Sequence, residues 1–525
     1  MTRTQNSFFN VLTSVAATIL VVILGFITRT IFVRTLGIDF QGIEGEFSNI
    51  LSVLSLADLG IGTAIVFKLY KPIEENDRPR ILVLMKLYRQ VYTVIGLVIT
   101  ALGLLLIPFL PYLARDYDLF ARLHMSPVLV FLIYLLHTAS SYWLFAYKSS
   151  FVRANQKSYI LTVVSYVTSI LSSLLQIAAL IIARSFYLYI LVRWAETAVS
   201  GIIGAVICNK RYPWINDKTE DKVSRAELKE FFKDCSALLL YRIHNVIINS
   251  SDYIVLTAVI GFRAGGLYSN YLYVKNALRS LLDTVINSFQ ASLGSIYSTG
   301  NLDWSRLIFR TMNLIVIWLY GIGAIGLAIL MDEFIPLWLG TSEYVITAWE
   351  FRGTGPLVST PLALLVGIEM YIIGQRQYFM IFREAMGLFQ HYKYRPILSV
   401  IVNLVFCIPG VYYLGPAGCV ISTIIAGLTT NLVFDPIVIH RYALHLPVRI
   451  YYTRNLLYAA VITAAGILTW FLCGLVPLEG VPGFLVRGCV CAAVPSAVIV
   501  LCYHRTEEFQ FLWQTVRGLL PGRKA

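Results

Sequence analysis

Charged residues are scarce in this 525-residue sequence. Asp, Glu, Lys and Arg make up only 14% of it, whereas apolar residues make up 58%. Soluble domains typically contain about 25% charged residues. Most of the surface of a soluble protein must meet water, so a soluble fold of this size could not accommodate so much hydrocarbon. The composition therefore excludes a large soluble enzyme and predicts an integral membrane protein.

Sequence motifs of several enzyme classes are missing as well. The sequence has no G-x-x-x-x-G-K-[ST] phosphate-binding loop, no H-E-x-x-H metal-binding helix and no G-x-S-x-G nucleophile elbow. Its eight cysteines include no CxxC pair and lie mostly in apolar runs, which is typical of small buried residues. We therefore predict no catalytic site, no metal site and no cofactor.

Fourteen apolar runs are long enough to cross a bilayer, which takes about 20 helical residues. They lie at residues 8–28, 40–70, 84–112, 127–147, 159–183, 186–208, 235–260, 266–297, 306–331, 357–389, 396–413, 416–440, 454–474 and 483–503. These runs predict an all-α polytopic membrane protein with about 14 transmembrane helices. No loop between them is long enough to form a separate catalytic domain.

The distribution of basic residues predicts the orientation. Loops on the side of the N-terminus carry 26 lysines and arginines, when Arg306, Arg376, Arg383 and Arg454 are counted with the loops beside their runs. Loops on the other side carry seven, with Arg352 included. By the positive-inside rule, both termini are cytosolic. This bias explains the net charge of +13 without a nucleic-acid partner.

A short internal repeat indicates two related halves. Gly45–Leu51 and Gly266–Leu272 both read G-x-aromatic-S-N-x-L, and each follows an apolar-Gly pair, Leu36-Gly37 or Ile260-Gly261. Parallel repeats of this kind are a transporter architecture. We predict two pseudo-symmetric six-helix lobes and two C-terminal helices, divided into an N-lobe at 1–208, a cytosolic linker at 209–234, a C-lobe at 235–441, two further spans at 442–503 and a basic cytosolic tail at 504–525.

The linker contains the sequence Ser-Arg-Ala-Glu at 224–227. A serine followed three residues later by glutamate is typical of a helix N-cap in which the two side chains bond each other's backbone. We predict a short helix that begins near Ser224.

Ionisable side chains within the predicted spans are the candidates for a functional site, since each costs several kcal/mol at bilayer depth unless it faces a partner or a cavity. Lys275, Arg279 and Asp283 follow at four-residue intervals, so they share one helix face. The cationic candidates are Arg29, Arg34, Arg242, Lys275 and Arg279; the acidic candidates, as ion-pair partners or for ion coupling, are Asp58, Asp252, Asp283, Glu369 and Asp435.

Two interpretations of these charges remain open. They pair with one another, Asp58 with Arg29 and Asp283 with Arg279, and serve packing. Alternatively, the surplus cations line a cavity for an anionic ligand, for which arginine is suited because its planar fork binds two phosphate oxygens. Glu369 and Asp435 stand alone in the sequence, and Arg193 is expected to pair with Glu196, three residues away.

Four segments resemble a known family. They are ITRTIFVRTLGIDFQGIEGEFSNILSVLSLADLGIGTAIVFKLYKPIEENDRPRI (27–81), FVRANQKSYI (151–160), NSSDYIVLTAVIGFRAGGLYSNYL (249–272) and FREAMGLFQHYKYRPILSVIVNLVF (382–406). They look like segments of bacterial polysaccharide-repeat flippases of the Wzx type, whose superfamily includes the multidrug and toxin extruders and the lipid II flippase.

The resemblance implies two lobes in a V shape that alternate between inward-open and outward-open states. It implies transport of an oligosaccharide on undecaprenyl diphosphate from the inner to the outer leaflet of the bacterial cytoplasmic membrane, for envelope polysaccharide synthesis. In the similar lipid II flippase, arginines at the end of the first helix line the cavity, and the matching position here is Arg29, with Arg34 nearby. Expected partners are this lipid-linked cargo, membrane lipids, and glycosyltransferases or a polymerase of the pathway.

Two alternative functions are compatible with the sequence. A cation-coupled antiporter of drugs or small molecules on the same fold would have a net acidic cavity, whereas the candidate residues here are net cationic. A non-transporting scaffold for envelope synthesis would leave the charged stripes inside the spans without an explanation.

Overall fold

The computed structural model is helical apart from one pair of two-residue strands. It describes residues 3–58, 61–113, 116–144, 146–155, 157–217, 250–287, 302–344, 361–386 and 395–519, and isolated positions between 219 and 248 and between 346 and 359. Its helices form two compact units, one of residues Leu20–Gly266 and one of Met1–Ile19 with Leu267–Ala525. The five segments predicted from the sequence remain predictions.

The unit Leu20–Gly266 contains the second half of α1 and ten further helices. Their bounds are α1 (Arg3–Leu36), α2 (Ile38–Leu54), α3 (Ile61–Glu74), α4 (Arg78–Leu106), α5 (Leu110–Leu113), α6 (Leu119–Arg122), α7 (Pro127–Trp143), α8 (Ala146–Ala154), α9 (Ser158–Ala178), α10 (Phe186–Arg211) and α11 (Val246–Val259). Single 3₁₀ turns lie at Ser55–Asp58, Ile107–Phe109 and Pro213–Asn216, and a π-helical turn extends α9 over Ala179–Ala183.

The other unit contains the helices that follow. They are α12 (Phe262–Asn287, which begins in the first unit), α13 (Leu302–Leu339), α14 (Leu362–Met386), α15 (Arg395–Leu414), α16 (Pro416–Ala426), α17 (Leu432–Ile439), α18 (Val448–Gly474), α19 (Gly480–Tyr503) and α20 (Glu507–Leu519). Strands β1 (Ala348–Trp349) and β2 (Val358–Ser359) pair antiparallel. A 3₁₀ turn lies at Ser342–Tyr344, and π-helical turns lie at Gly427–Asn431 and His440–Leu444.

Each of the fourteen apolar runs contains a described helix or part of one, which confirms the all-α polytopic class. In the described part of the chain, nine helices are long and apolar enough to span a membrane, and the bent pair α7–α8 makes ten. The runs at 40–70, 235–260, 266–297 and 357–389 hold the more polar or shorter helices α2 with α3, α11, α12 and α14. Three of these four runs contain acidic side chains that are almost fully buried, Glu46, Asp252 and Glu369.

The internal repeat has a structural counterpart in two glycines. Gly37 separates α1 from α2 with φ 99°, and Gly261 precedes α12 with φ 127°. Side chains with a Cβ rarely adopt these angles, so glycine permits each helix to begin immediately after the previous one ends. Each copy of the repeated sequence therefore lies on a helix that follows a glycine of positive φ.

The last two spanning helices pack on α13. Leu314, Ile317 and Ile325 of α13 form one buried cluster with Tyr458 and Ile462 of α18, together with Ala465 and Ile499. Trp318 of α13 also donates a hydrogen bond from Nε1 to Ser496 Oγ of α19 at 3.1 Å. Close packing of apolar side chains is the main source of association between helices in lipid. Helices α18 and α19 are thus integral to their unit.

The linker contains the predicted capping arrangement. Ser224 N donates to Glu227 Oε2 at 3.0 Å, and Glu227 N donates to Ser224 Oγ at 3.2 Å. Glu227 also forms an ion pair with Arg80, near the start of α4, at 2.5 Å. The N-terminal part of the linker is held separately, since Lys148 donates to Asn209 and Asn216 at 2.6 and 2.9 Å.

Glu227→Gln is expected to release the linker, because the amide has no charge to attract Arg80. Low pH is expected to act in the same way. The N–H of Ser224, and then Arg80, hold the pKa of the Glu227 carboxyl below its ordinary value. The stabilisation that these two contacts give to the linker is complete above the ordinary glutamate pKa of about 4.3. It is lost as the pH falls through the lowered pKa of Glu227.

Limited proteolysis between 209 and 234 measures both effects. Faster cleavage is expected for Glu227→Gln at neutral pH and for the wild type in acid. Asp217→Asn alters an exposed carboxylate of the same linker and is expected to be cleaved like the wild type. Equal cleavage of Glu227→Gln and wild type at neutral pH would show that this ion pair does not hold the linker.

Candidate functional site

Two helices of the unit Leu267–Ala525 present charged stripes. On α12, Lys275, Arg279 and Asp283 follow at four-residue intervals, as the sequence predicts. On α14, Glu369, Arg376 and Arg383 follow at seven-residue intervals, two helical turns apart, and therefore also share one face. These six residues, with Arg395 of α15 and Asp435 of α17, are called the charge cluster below.

Lys275 and Glu369 form a buried ion pair that joins α12 to α14. Lys275 Nζ donates to both carboxylate oxygens of Glu369, at 2.7 and 2.8 Å, and both side chains are only 7% exposed. Charges at this depth require a counter-charge, because the surroundings solvate them poorly. Lys275 is therefore neutralised by Glu369, which was expected to stand alone.

Arg279 and Asp283 lie next along α12 and are more accessible. Arg279 Nε donates to Asp283 Oδ2 at 3.2 Å, which is the pairing that the sequence spacing favours. The two side chains are 31% and 22% exposed. Tyr320 of α13 donates a short hydrogen bond to the other oxygen of Asp283. Arg376 lies within electrostatic reach of Arg279, so α14 adds a second guanidinium to this part of the cluster.

The remaining contacts of the charge cluster are made around Asp435. Arg395 Nη1 donates to both oxygens of Asp435, at 2.7 and 2.5 Å, and to Asn431 Oδ1 at 3.0 Å. Arg376 and Arg383 also act electrostatically on this carboxylate. Asp435 is 1% exposed and Arg383 2%. Three arginines therefore act on Asp435, although the sequence analysis expected this residue to stand alone.

The charge cluster has an excess of positive charge. Its described members are five cations, Lys275, Arg279, Arg376, Arg383 and Arg395, and three acids, Asp283, Glu369 and Asp435. The excess is therefore two positive charges within a largely buried region. The same two helices are also joined by neutral polar side chains: Gln377 of α14 donates to Asn287 of α12 at 3.0 Å.

The unit Leu20–Gly266 has a smaller polar network between α2 and α10. Arg193 Nη1 donates to Glu44 Oε1 at 2.7 Å, and Tyr189 donates to the same oxygen at 3.3 Å. Arg29, half-buried on α1, lies within electrostatic reach of Tyr189. The expected pairing of Arg193 with Glu196 is wrong, because Glu196 instead accepts a hydrogen bond from Ser169 at 2.7 Å.

The remaining candidates occupy different environments. Arg34 is exposed near the end of α1, and Asp252 is buried on α11. Arg242 and the side chain of Asp58 lie outside the described residues, so the expected pairing of Asp58 with Arg29 remains a prediction. In the part of the chain that the structure describes, no group of three His, Cys, Asp or Glu side chains is placed to hold a metal ion.

Arg376 and Arg383 are the residues that the sequence analysis placed wrongly. Counted there as loop residues, they lie within α14, and Arg383 is buried. The seven-residue interval from Glu369 through both arginines was the available signal, because charges that recur every two turns on an apolar helix indicate one shared polar face. Glu44 gave no comparable signal, since its partner is 149 residues away.

The long apolar helices make the chain a multi-pass membrane protein, and its fold is similar to that of known transporters. The structure superimposes on the lipid II flippase MurJ in an inward closed conformation with a TM-score of 0.63, over 93% of this chain and 98% of that one, at 14% identity. An inward-facing multidrug resistance MATE family transporter of the MOP superfamily gives 0.60, over 80% and 94%, at 13% identity. Likeness at these identities shows the fold alone.

The sequence comparison gives the family. Residues 8–289, more than half of the chain, match the family described as "Polysaccharide biosynthesis protein", and the chain belongs to it. A curated relative, the uncharacterized membrane protein EpsK of Bacillus subtilis (strain 168), is 21% identical over 338 residues, which are 62% of this chain. The match spans 61% of the length of that relative.

Lys275→Met is expected to destabilise the protein by about 3–5 kcal/mol, because it leaves the Glu369 carboxylate buried without its counter-charge. The double variant Lys275→Met/Glu369→Leu removes both charges and is expected to recover most of this loss. Thermal unfolding in detergent measures the effect.

Arg263→Gln is the control for this cycle, since Arg263 is an exposed cation on the first turn of the same helix. Its melting temperature is expected to equal that of the wild type. A double variant less stable than Lys275→Met alone would contradict the pairing.

Proposed function

We propose that this protein flips an oligosaccharide linked to undecaprenyl diphosphate from the inner to the outer leaflet of the bacterial cytoplasmic membrane by alternating access. Membership of the polysaccharide biosynthesis family and the MOP-type fold support this proposal. The protein acts as a transporter rather than as an enzyme, and the oligosaccharide that it flips is used in envelope polysaccharide synthesis.

The positive excess of the charge cluster is the observation that carries the proposal. Such a cargo always contains a diphosphate, whatever its sugars, and this anion must be bound away from bulk water. Arginine binds phosphate oxygens with two parallel hydrogen bonds, which are stronger when the groups are charged and shielded from water. Five cations against three acids supply the required attraction.

Arg279 is the best placed member of the charge cluster to bind the diphosphate. Within the described residues it contacts Asp283 through Nε only, so both of its Nη groups remain to donate to a second anion. Its side chain is 31% exposed, whereas Lys275 is 7% exposed and occupied by Glu369. Lys275 therefore sets the position of α12 against α14, and Arg279 with Arg376 receives the diphosphate. In the unit Leu20–Gly266, Arg29 is the residue proposed to bind the diphosphate.

The same charge argues against the alternative cargo. An antiporter for cationic drugs needs an acidic binding site, because a drug cation would be repelled by an excess of two positive charges. A scaffold without transport would gain nothing from guanidinium groups held within membrane-spanning helices at a cost of several kcal/mol each.

The proposed orientation has both termini in the cytosol, following the distribution of basic residues. The proposed partners are the lipid-linked oligosaccharide, the surrounding membrane lipids, and the glycosyltransferases or polymerase that make and consume the cargo. No role for nucleic acid is proposed.

Arg279→Ala and Arg29→Ala are each expected to reduce flipping roughly tenfold or more. Loss of a hydrogen bond to a charged group costs about 1.5–3 kcal/mol, and 1.4 kcal/mol corresponds to a factor of ten. The measurement is accumulation of carrier-linked oligosaccharide in the inner leaflet of cells that express each variant at wild-type level.

Arg263→Ala serves as the matched control on α12 and is expected to leave flipping unchanged. Normal flipping in both Arg29→Ala and Arg279→Ala would reject the assignment of these arginines. If deletion of the whole gene causes no accumulation of carrier-linked oligosaccharide, the proposed cargo is rejected.

A further inference from the structure

A small cavity lies where several helices of the unit Leu267–Ala525 end together. Arg306 and Arg310, in the first turns of α13, line it with Arg454 from the second turn of α18. His440 and Leu444, of the π-helical turn after α17, complete this end, and the chain reverses there over residues 445–447 before α18 begins. The cavity therefore lies at one membrane surface.

The size of the cavity suits one phosphate group. Its volume is about 40 Å³. One water needs roughly 10–15 Å³ on this scale, so there is space for about three waters, or for a group of that bulk. Three guanidinium groups line the cavity together with apolar and aromatic side chains, so an occupant can combine a charged group with hydrocarbon.

Polar groups in the cavity wall lack partners. Nε of Arg310 has no hydrogen-bond partner in the described structure and can donate to an anion. Oδ1 of Asn313, which is 5% exposed, also lacks a partner, but as an acceptor it would bond a water or a headgroup hydroxyl rather than a phosphate oxygen. Arg454 uses only Nη1, which donates to Glu508 Oε1 at 3.2 Å. A buried polar atom without a partner is uncommon in proteins and indicates that something binds there. Arg306 differs, because all three of its nitrogens donate: Nε and Nη2 to Leu444 O, and Nη1 to Asp303.

The surroundings of the cavity favour an anion. Glu507 and Glu508 of α20 pair with Arg310 and Arg454, at 2.8 and 3.2 Å. Glu507 is 64% exposed and is therefore a weak partner of Arg310, whereas Glu508 is 4% exposed and leaves Nη2 of Arg454 to bind an anion. Four further arginines are exposed at this end of the unit: Arg441, Arg449, Arg505 and Arg517. The end as a whole is thus strongly basic.

The neighbouring surface indicates a lipid. Ile450, which lines the cavity, and Leu456 and Leu457 on α18 are 44%, 70% and 64% exposed. Trp304 and Trp513 flank the end of the unit and are 38% and 50% exposed. Tryptophan concentrates at the level of lipid headgroups, and exposed aliphatic side chains on a spanning helix face acyl chains. A phosphate in the cavity would then carry its hydrocarbon along α18.

We propose that this cavity binds the phosphate of an anionic phospholipid headgroup between Arg310 and Arg454, at the membrane end capped by α20. Basic pockets between spanning helices are known sites for anionic headgroups. The bound lipid and the carboxylate of Glu507 share Arg310, so α20 and the lipid compete for this guanidinium. The site is separate from the charge cluster and does not depend on the nature of the transported cargo.

The test uses the full-length protein, delipidated in detergent, with phosphatidylglycerol, phosphatidylcholine or inorganic phosphate as probes. Native mass spectrometry counts bound lipid, and thermal unfolding reports stabilisation. Phosphatidylglycerol is expected to bind and to raise the melting temperature by several degrees, and the other two probes are expected to do neither. Equal binding of phosphatidylcholine, or equal stabilisation by inorganic phosphate, would overturn the assignment to an anionic lipid.

Variants locate the site. Arg310→Gln/Arg454→Gln is expected to weaken phosphatidylglycerol binding at least tenfold, whereas Arg263→Gln, at an exposed arginine that does not line the cavity, is expected to retain it. Glu507→Gln removes the competing carboxylate and is expected to bind more tightly. Wild-type affinity in the double variant, or weaker binding in Glu507→Gln, would overturn the proposal, and the comparison of probes on the wild type decides it if the double variant does not fold.

Discussion

Neutralisation of charge within the membrane is the constraint on which this structure depends. An ionised side chain at bilayer depth is tolerated only beside a counter-charge or water. The protein meets this requirement with ion pairs that join different helices. Lys275–Glu369 and Arg395–Asp435 are buried in one unit, and Arg193–Glu44 is half-buried in the other. Each pair fixes the register of two helices, because a shift by one turn would separate the charges by about 5 Å.

The excess of cations is what distinguishes the charge cluster from a purely structural device. Structural pairing needs equal numbers of each sign, as at Lys275 and Glu369. Among its described members, the charge cluster has two more cations than acids. In the proposed function, the diphosphate of the cargo supplies the balancing negative charge.

Local features could be predicted from the sequence and distant pairings could not. The apolar runs, the capping residues Ser224 and Glu227 and the spacing of Arg279 and Asp283 all operate within a few residues, so periodicity reveals them. Partners on different helices leave no such trace. Arg193 stands one turn from Glu196, yet its carboxylate partner is Glu44, because the packing of α10 against α2 decides which acid is within reach.

The long separation of paired charges also has a consequence for synthesis. Lys275 precedes Glu369 by 94 residues, and at translation rates of about 5–20 residues per second this lysine waits roughly 5–20 s for its carboxylate. During that interval α12 cannot rest in lipid with a bare ammonium group. The insertion machinery must shelter it or leave it in contact with water until α14 emerges from the ribosome.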